Sequence, residues 1–526
     1  MEKNFALEPY KGPDIIEELD KETFIQAWLF FGLISTIVQI DKRPILELSD
    51  LVDPNTLHQG QSLSTRGLHD AIERWTNWES ANKESSRFRL IQVGWVLDLA
   101  RQVIQKFSRD EDEAQRDVVV SRLCVLILMC LGETLSAAKA RIVSLNGVNA
   151  AGWHGDDHVG WGPPRLVFDR MKKDNWCPRA IEILRGQVSS NATMLVTAYQ
   201  AYRNSTRMTE KEHKTSHCTS QECKVKSIDN TGNYRNRHTD ECENGNGRSC
   251  KPSGPIQDDI VRVLQNPQNC TPLLEFLSDE SEVKELKFRV ISLKPFEDIQ
   301  KEFVTISHVW SDGWGNEKAN ELNNCQLRFI QRQIKKATNN FRTPFWMDTL
   351  VVPVADEHKV LRKKAIRQIV EVFDRASCTI ILDNGLSSMA HGRRPAEAAM
   401  KIISSVWMRR LWTLQEAYFS RKILIPFEED GVETYNLQSF DEIVAKLEEA
   451  VKSPKSGIME MIRIQLSRMI MGEERLSRTR DEVNYIDGAS SVANAYHAAR
   501  WRVRYVNLYL SYVSKSLTAD IDNGKS

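Results

Sequence analysis

The sequence has no excess of charge of either sign. Its 526 residues include 71 Lys plus Arg and 71 Asp plus Glu, so the formal net charge at pH 7 is +0. Long-range attraction to a polyanion requires a net positive field or a basic stripe. We therefore expect neither nucleic acid nor an anionic membrane surface as a partner.

A long uninterrupted hydrophobic run is absent as well. The stretch Phe24–Ile40 is apolar but contains Gln, Gly, Ser and Thr, and Val118–Leu131 is shorter and is interrupted by Arg122. A membrane-spanning helix requires about 20 predominantly apolar residues. We expect two buried helices here and no membrane span. Residues 1–14 mix both charges and lack the basic-then-apolar order of a signal peptide.

Cysteine spacings typical of secreted proteins are also missing. The ten cysteines show no paired framework across the chain, so a reducing, cytoplasmic location is predicted. The chain has 41% apolar and 27% charged residues, which is typical of a folded globular protein. Its length is sufficient for about two to four domains.

The N-terminal region, residues 1–202, is predicted to be mainly helical. Leu68, Ile72 and Trp75 recur at helical spacing. The stretch Val118–Ile142 is apolar on nearly all sides, which indicates a helix at the centre of this region.

The region 256–430 alternates short apolar strands with amphipathic helices. Cys378–Leu382 is wholly apolar, as in a strand buried on both faces, and Lys364–Ala376 has the apolar spacing of a surface helix. Such alternation favours an α/β fold in which helices cover a parallel sheet. Residues 431–526 are predicted to form a helical C-terminal tail.

The intervening segment, residues 203–255, contains few apolar side chains and several Cys and His. Two pairs lie close in sequence, Cys218 with Cys223 and His238 with Cys242. A structural zinc site requires four thiolate or imidazole ligands brought together. We expect these four residues to bind zinc, which would keep so polar a segment ordered. The alternative is a polar linker in which the Cys and His are incidental.

Candidate binding residues occur at the carboxyl ends of the predicted strands, where open parallel sheets bind ligands. After the strand that starts at Phe303 come Ser307, His308, Trp310 and Asp312. All four are predicted to line a binding site.

Asp348 is a further candidate, because it lies inside the predicted strand Phe345–Val354. A buried carboxylate must be paired or functional, since burying an unpaired charge is costly. It is predicted to contact a ligand, to cap a neighbouring loop, or to pair with Arg409 or Arg410.

Glu416 is the candidate catalytic residue. If Trp407–Ser420 is one helix, Glu416 shares a stripe with Met408, Trp412 and Phe419. Apolar and aromatic neighbours raise the pKa of a carboxyl group and suit it to proton transfer or charge stabilisation. The alternative is a structural Glu416 that pairs with a basic side chain and holds the helix in place.

Three blocks in the α/β region carry a family resemblance. They read FVTISHVWSDGWG at 303–315, FWMDTLVVPV at 345–354 and WMRRLWTLQEA at 407–417. In this order they resemble the heterokaryon-incompatibility (HET) domain, a module of fungal non-self recognition. The resemblance implies an effector of regulated cell death that self-associates through this domain and responds to a protein trigger.

HET domains in turn resemble the Toll/interleukin-receptor (TIR) fold, a flavodoxin-like sheet. Many TIR proteins cleave NAD with a Glu in a Trp-Cys-x-x-Glu pattern on the helix after the third strand. Trp412 and Glu416 have that spacing, with Thr413 in place of Cys. The resemblance therefore implies NAD as substrate, Glu416 as catalytic carboxylate and Trp412 as a binding residue. A non-catalytic signalling scaffold is the further alternative.

Overall fold

The structure of the chain is a computed structural model. It describes residues 29–37, 52–53, 62–63, 66–108, 120–147, 160–187, 191–203, 217–224, 236–239, 242, 250–281, 285–295, 302–387, 395–410, 413, 416–417, 419–428 and 435–452.

The described part of the N-terminal region consists mainly of helices, in agreement with its periodicity. They are residues 29–37 (α1), Arg66–Ala81 (α2), Lys83–Ser108 (α3), Arg122–Asn146 (α4), Arg165–Lys173 (α5), Pro178–Gln187 (α6) and Ala192–Arg203 (α7). One short antiparallel pair of strands accompanies them, Val52–Asp53 (β1) with Ser62–Leu63 (β2).

Helix α4 lies at the centre of this region. It packs against α2, α3, α5 and α7, and Met129, Leu135 and Ile142 on it are buried. A helix that is apolar on all sides requires neighbours on all sides. Among the described helices, α4 is long and apolar enough over Arg122–Val143 to cross a membrane by length and composition, and 61% of its most apolar window is buried in the protein.

A buried ion pair joins α2 to α3. Arg89 donates from Nε to Oε1 of Glu79 at 3.1 Å and from a terminal nitrogen to Oε2 at 2.8 Å. The guanidinium also lies 4.2 Å from the ring centroid of Trp78. The two side chains are only 6% and 2% exposed, so each charge depends on the other for compensation.

A seven-stranded mixed sheet forms the core of the following region. Its strands are Thr271–Phe276 (β4), Phe288–Leu293 (β5), Val304–His308 (β6), Phe345–Trp346 (β8), Cys378–Leu382 (β9), Ile423–Glu428 (β10) and Tyr435–Ser439 (β11). A separate short pair consists of Pro252–Ser253 (β3) and Leu322–Asn323 (β7).

The order of strands across the sheet is β11-β10-β9-β6-β8-β4-β5. The four central strands β10, β9, β6 and β8 are mutually parallel. Along the chain β6 is the first of these four strands, β8 the second, β9 the third and β10 the fourth. Across the sheet, starting from β8, their order is therefore 2-1-3-4. Antiparallel strands β4 and β5 flank β8, and β11 flanks β10. The α/β prediction is therefore confirmed, but the sheet is mixed rather than purely parallel.

Helices pack around this sheet. They are Gln257–Gln265 (α8), Asn324–Thr338 (α9), Asp348–Val351 (α10), Lys359–Arg375 (α11), Asn384–Ser387 (α12), Pro395–Ser404 (α13) and Phe440–Lys452 (α14). Ile260 and Leu264 of α8 pack on Ala365 of α11. Helix α13 contacts α7 of the N-terminal region, so the helical region and the sheet region share an interface.

The sheet continues past residue 430, the end predicted for the α/β region. Strand β11 pairs with β10 from Tyr435 to Ser439, and α14 packs on both strands. The rest of the predicted helical tail, from residue 453 onward, lies outside the described residues.

Two predicted elements are shorter than expected. The strand Phe345–Val354 ends at Trp346, and Asp348 instead begins the short helix α10. The single helix Trp407–Ser420 is interrupted, because Trp407–Arg409 is one 3-10 turn and Arg410 is extended at φ −88° and ψ 141°. In both places a polar side chain, that of Asp348 or Arg410, contacts His308 of the neighbouring strand β6. This contact, and not the local periodicity of the sequence, determines where the predicted element ends.

The Arg89–Glu79 pair provides a stability test. Arg89→Leu should lower the free energy of unfolding by about 3–5 kcal/mol, because it leaves the Glu79 carboxylate buried and unpaired. The matched control is Arg122→Leu, since the Arg122–Asp169 pair is 48% and 44% exposed and such pairs contribute about 0–1 kcal/mol. Urea denaturation of the full chain measures both. Equal losses of unfolding free energy in the two variants would show that burial does not determine how much the Arg89–Glu79 pair stabilises the fold.

Candidate functional site

The candidate site lies at the carboxyl end of β6, between β8 and β9. β6 pairs with β9 from Val304 to His308 and with β8 at its first residues. β6, the first parallel strand along the chain, therefore lies between β8, the second, and β9, the third. Ligands bind in open α/β sheets at such a reversal of strand order. This edge of the sheet is therefore a candidate binding site.

A chain of hydrogen bonds leads to Glu416. The indole nitrogen of Trp407 donates to the hydroxyl of Ser307 at 2.6 Å, and that hydroxyl donates to Oε2 of Glu416. The backbone nitrogen of Trp407 donates at 2.9 Å to Oδ2 of Asp383, the residue that follows β9. The Trp407 turn is thus fixed to β9 while its side chain orients Ser307 of β6.

The pKa of the Glu416 carboxyl is raised from 4.5 to about 7. Burial is the largest cause, because it disfavours the charged form. The nearby Asp348 charge raises the pKa further, whereas the Ser307 hydrogen bond and the Arg410 charge lower it. A carboxyl that titrates near neutral pH can exchange a proton or stabilise a developing positive charge.

His308 and Asp348 form a second polar group at this edge. Nδ1 of His308 lies 3.4 Å from Oδ1 of Asp348, and Nε2 of His308 lies 3.0 Å from the Thr349 hydroxyl. The indole nitrogen of Trp310 donates to Oδ2 of Asp348 at 3.2 Å. The Asp348 side chain remains 33% exposed, so part of this carboxylate is open to solvent.

Burial lowers the pKa of His308 below its usual value of 6.5. The Asp348 and Asp312 charges oppose that shift, and the Arg410 charge adds to it. His308 is therefore neutral at pH 7 and holds its place by hydrogen bonding rather than as a cation.

Asp312 has a structural role in the turn after β6. Its Oδ2 accepts a hydrogen bond of 2.9 Å from the backbone nitrogen of Asn384, at the start of α12. The side chain is buried. Asp312 therefore ties the loop after β6 to the loop after β9, and its charge also acts on His308.

Arg410 does not pair with Asp348, contrary to one of the alternatives for that carboxylate. Its terminal nitrogen donates at 2.8 Å to the backbone carbonyl of His308. Asp348 accepts instead from Trp310 and from its neighbouring backbone nitrogen at Thr349, the latter at 2.7 Å. Arg410 thus anchors the chain after the Trp407 turn to the end of β6.

Five of the residues predicted to form the site are neighbours in the structure. The structure brings together Ser307, His308, Trp310, Asp348 and Glu416, whereas Trp412 lies outside the described residues. The contribution of Asp383 was missed, although an Asp directly after a buried strand is a signal for it. No protein-family model, curated protein or solved structure matches this chain.

The four predicted zinc ligands do not form one group. His238 and Cys242 join Cys250 and Cys325, and in this group all ligand atoms lie within 4.8 Å of one another. The other two, Cys218 and Cys223, join Cys177 in a second group by the same criterion. Each group could hold a metal ion. The predicted set is therefore corrected to two sets, because each pair finds its nearest thiols in a different part of the fold.

The raised pKa of Glu416 gives a pH-dependence test. An unfolded glutamate releases its proton near 4.5, whereas the folded carboxyl keeps it up to about 7. Raising the pH through this window therefore favours the unfolded chain. Relative to Glu416→Gln, the wild-type protein should lose thermal stability as the pH rises from 4.5 to 7. Parallel pH profiles of the two melting temperatures would contradict the raised pKa.

Proposed function

We propose that this chain is an intracellular heterokaryon-incompatibility effector that triggers regulated cell death by cleaving NAD at the site beside β6. The observation that carries the proposal is the Glu416 carboxyl. It is buried against Ser307 at the edge where the parallel strands end, with a pKa of about 7. A perturbed carboxyl at the ligand-binding edge of an α/β sheet is a candidate catalytic group.

The order of the parallel strands supports the TIR-like part of the proposal. Flavodoxin-like sheets have the order 2-1-3-4-5 and bind ligands where the first and third strands meet. The parallel strands β8, β6, β9 and β10 have the order 2-1-3-4. Glu416 follows the third of these strands in sequence, which is where TIR enzymes carry their glutamate.

The reaction proposed is hydrolysis of the nicotinamide–ribose bond. The bond from C1′ to the nicotinamide nitrogen breaks, and nicotinamide leaves with the electron pair. Water then adds its oxygen to C1′ and releases a proton, so that ADP-ribose is the second product. The ribose passes through an oxocarbenium-like state, which an ionised Glu416 stabilises electrostatically.

The other residues bind and position. Ser307 orients the Glu416 carboxyl through its hydroxyl, and Trp407 orients Ser307. The partly exposed carboxylate of Asp348 is placed to accept a hydrogen bond from a ribose hydroxyl, and Trp310 holds that carboxylate in position. The rate is expected to rise with pH through about 7, as Glu416 becomes ionised.

A non-catalytic signalling scaffold is the second candidate. It is favoured by one observation, which is that Glu416 already has an internal partner in Ser307. In that case the carboxyl would hold the 407–420 segment on the sheet, and the domain would act by self-association after a protein trigger.

We also propose that His238, Cys242, Cys250 and Cys325, which could hold a metal ion, bind zinc. Three thiolates and one imidazole form a closed ligand set typical of structural zinc sites. Such a set leaves no open position for catalysis, so the ion would stabilise the fold and take no part in NAD cleavage.

Glu416→Gln should abolish NAD cleavage by the full-length protein while leaving the melting temperature at pH 7 unchanged or raised. The substitution keeps the size of the side chain and removes the charge that stabilises the transition state. The matched control is Glu371→Gln, because Glu371 is a surface glutamate whose side chain is 43% exposed. Nicotinamide release, followed by chromatography, measures both variants.

A Glu416→Gln protein that melts early and loses activity only in proportion to unfolding would contradict catalysis. It would support the scaffold instead, because breaking a buried structural contact destabilises the fold. Wild-type protein that cleaves no NAD at any concentration would also exclude the enzymatic candidate.

Overexpression of the full chain in a fungal host should arrest growth. If NAD cleavage causes the arrest, Glu416→Gln should restore growth at equal protein level, and Glu371→Gln should not. Colony growth together with cellular NAD content tests this. Arrest by Glu416→Gln as strong as that by wild type would favour the scaffold candidate.

A further inference from the structure

The segment between α7 and β3 is polar, yet its described parts lie against two different regions of the protein. Residues 217–224 lie beside α6 of the helical region, where Arg179 donates to the Ser220 carbonyl at 3.2 Å. Residues 236–239 lie beside the sheet region, where the backbone nitrogen of Arg237 donates to the Gly313 carbonyl at 3.4 Å. A segment with few apolar side chains requires some other interaction to remain ordered in two places.

The group near the sheet has the dimensions of a tetrahedral zinc site. Nδ1 of His238 lies 3.6 Å from Sγ of Cys242 and 3.6 Å from Sγ of Cys325. Zinc bonds of about 2.3 Å to sulfur and 2.0–2.1 Å to nitrogen place these ligand atoms about 3.6 Å apart in a tetrahedron. These two spacings are those that an ion between the atoms requires, and all four ligand atoms lie within 4.8 Å of one another.

Secondary structure explains how this group forms. The pairing of β3 with β7 aligns Pro252 with Asn323, which brings the preceding Cys250 close to Cys325, in the first turn of α9. A capping box between Asn323 and Gln326 fixes the start of that helix.

Backbone amides donate to two of the sulfur atoms. The nitrogen of Thr239 lies 3.4 Å from Sγ of Cys325, and the nitrogen of Cys325 lies 3.4 Å from Sγ of Cys250. Donors of this kind orient metal-bound thiolates and stabilise their charge. The group therefore has outer hydrogen bonds as well as ligands.

The second group is formed by a tight loop next to α6. The hydroxyl of Thr219 accepts hydrogen bonds from the backbone nitrogens of Gln221 and Glu222, at 3.3 and 3.0 Å. This turn brings the flanking Cys218 and Cys223 together. Cys177, which directly precedes α6, completes the group. Three thiolates leave a fourth position of a zinc ion for water or another side chain.

We propose that two zinc ions bind the 203–255 segment, one between this segment and the helical region and one between it and the sheet region. One ion joins Cys218 and Cys223 to Cys177 of the helical region, and the other joins His238, Cys242 and Cys250 to Cys325 of the sheet region. The zinc proposed above is the ion in the group that contains His238 and Cys325. The ion in the group that contains Cys177, and the bridging role of the two ions, are additional to it.

The bridge ends beside the candidate site. Gly313 has φ +87°, and a Cβ there would lie 2.6 Å from the Arg237 backbone nitrogen. The amide of Gln326 also donates at 2.8 Å to the Gly313 carbonyl. Arg237 and Gln326, which neighbour the proposed zinc ligands His238 and Cys325 in sequence, thus pack on the turn that carries Trp310 and Asp312.

The test is the zinc content of full-length protein purified without chelator, measured by mass spectrometry of the metal. Wild type should hold two zinc ions per chain. Cys325→Ser and Cys223→Ser should each hold one, and the double variant none. Cys130→Ser is the matched control, because Cys130 is a half-buried free cysteine outside both groups, and it should keep two.

Folded wild-type protein without zinc would overturn both sites. Wild-type protein that holds only one ion, with no ion left in either single variant, would overturn the two-site arrangement. A single ion lost in Cys325→Ser but kept in Cys223→Ser would overturn the bridge. Should the variants not fold, wild type produced in cobalt medium serves instead. Two cobalt ions per chain with thiolate-to-cobalt absorption are then expected, and one ion or none contradicts the proposal. None of these readouts depends on NAD cleavage.

Discussion

The parallel pairing of β6 with both β8 and β9 is the constraint on which the candidate site depends. Because β6 is the first of the four parallel strands and lies between the second and the third, the loops that follow all three meet at one edge. Ser307 and His308 end β6, Asp348 follows β8 and Asp383 follows β9. Residues far apart in sequence thus become neighbours through backbone hydrogen bonding alone.

Within that frame, burial determines the charge state of the site. It raises the pKa of Glu416 and lowers that of His308, so both side chains tend toward their neutral forms. Asp348 is the carboxylate that keeps partial exposure. The site therefore combines an enclosed titratable carboxyl with a partly exposed carboxylate.

Buried carboxylates also stabilise the helical region. Glu133 of α4 accepts hydrogen bonds of 2.7 and 2.8 Å from the first two backbone nitrogens of α7, which otherwise lack intrahelical partners. Burial raises its pKa to about 7 in spite of these bonds. Glu133 and Glu416 share this shift, but of the two only Glu416 lies at the carboxyl ends of the parallel strands, where it contacts Ser307. Position in the fold, rather than pKa alone, distinguishes a candidate catalytic group from a structural one.

The sequence by itself determined the elements with strong periodicity, such as the buried strand Cys378–Leu382, and it indicated Ser307, Asp348 and Glu416 as candidates. The strand is confirmed, and the three candidates stay predictions. Both come from burial patterns and isolated carboxylates, which are local properties of the chain. Only the tertiary structure decided that β11 extends the sheet and that the Trp407 turn interrupts a predicted helix. It alone also separated the Cys and His residues into two groups, because Cys177 and Cys325 come from distant elements that spacing along the chain does not reveal.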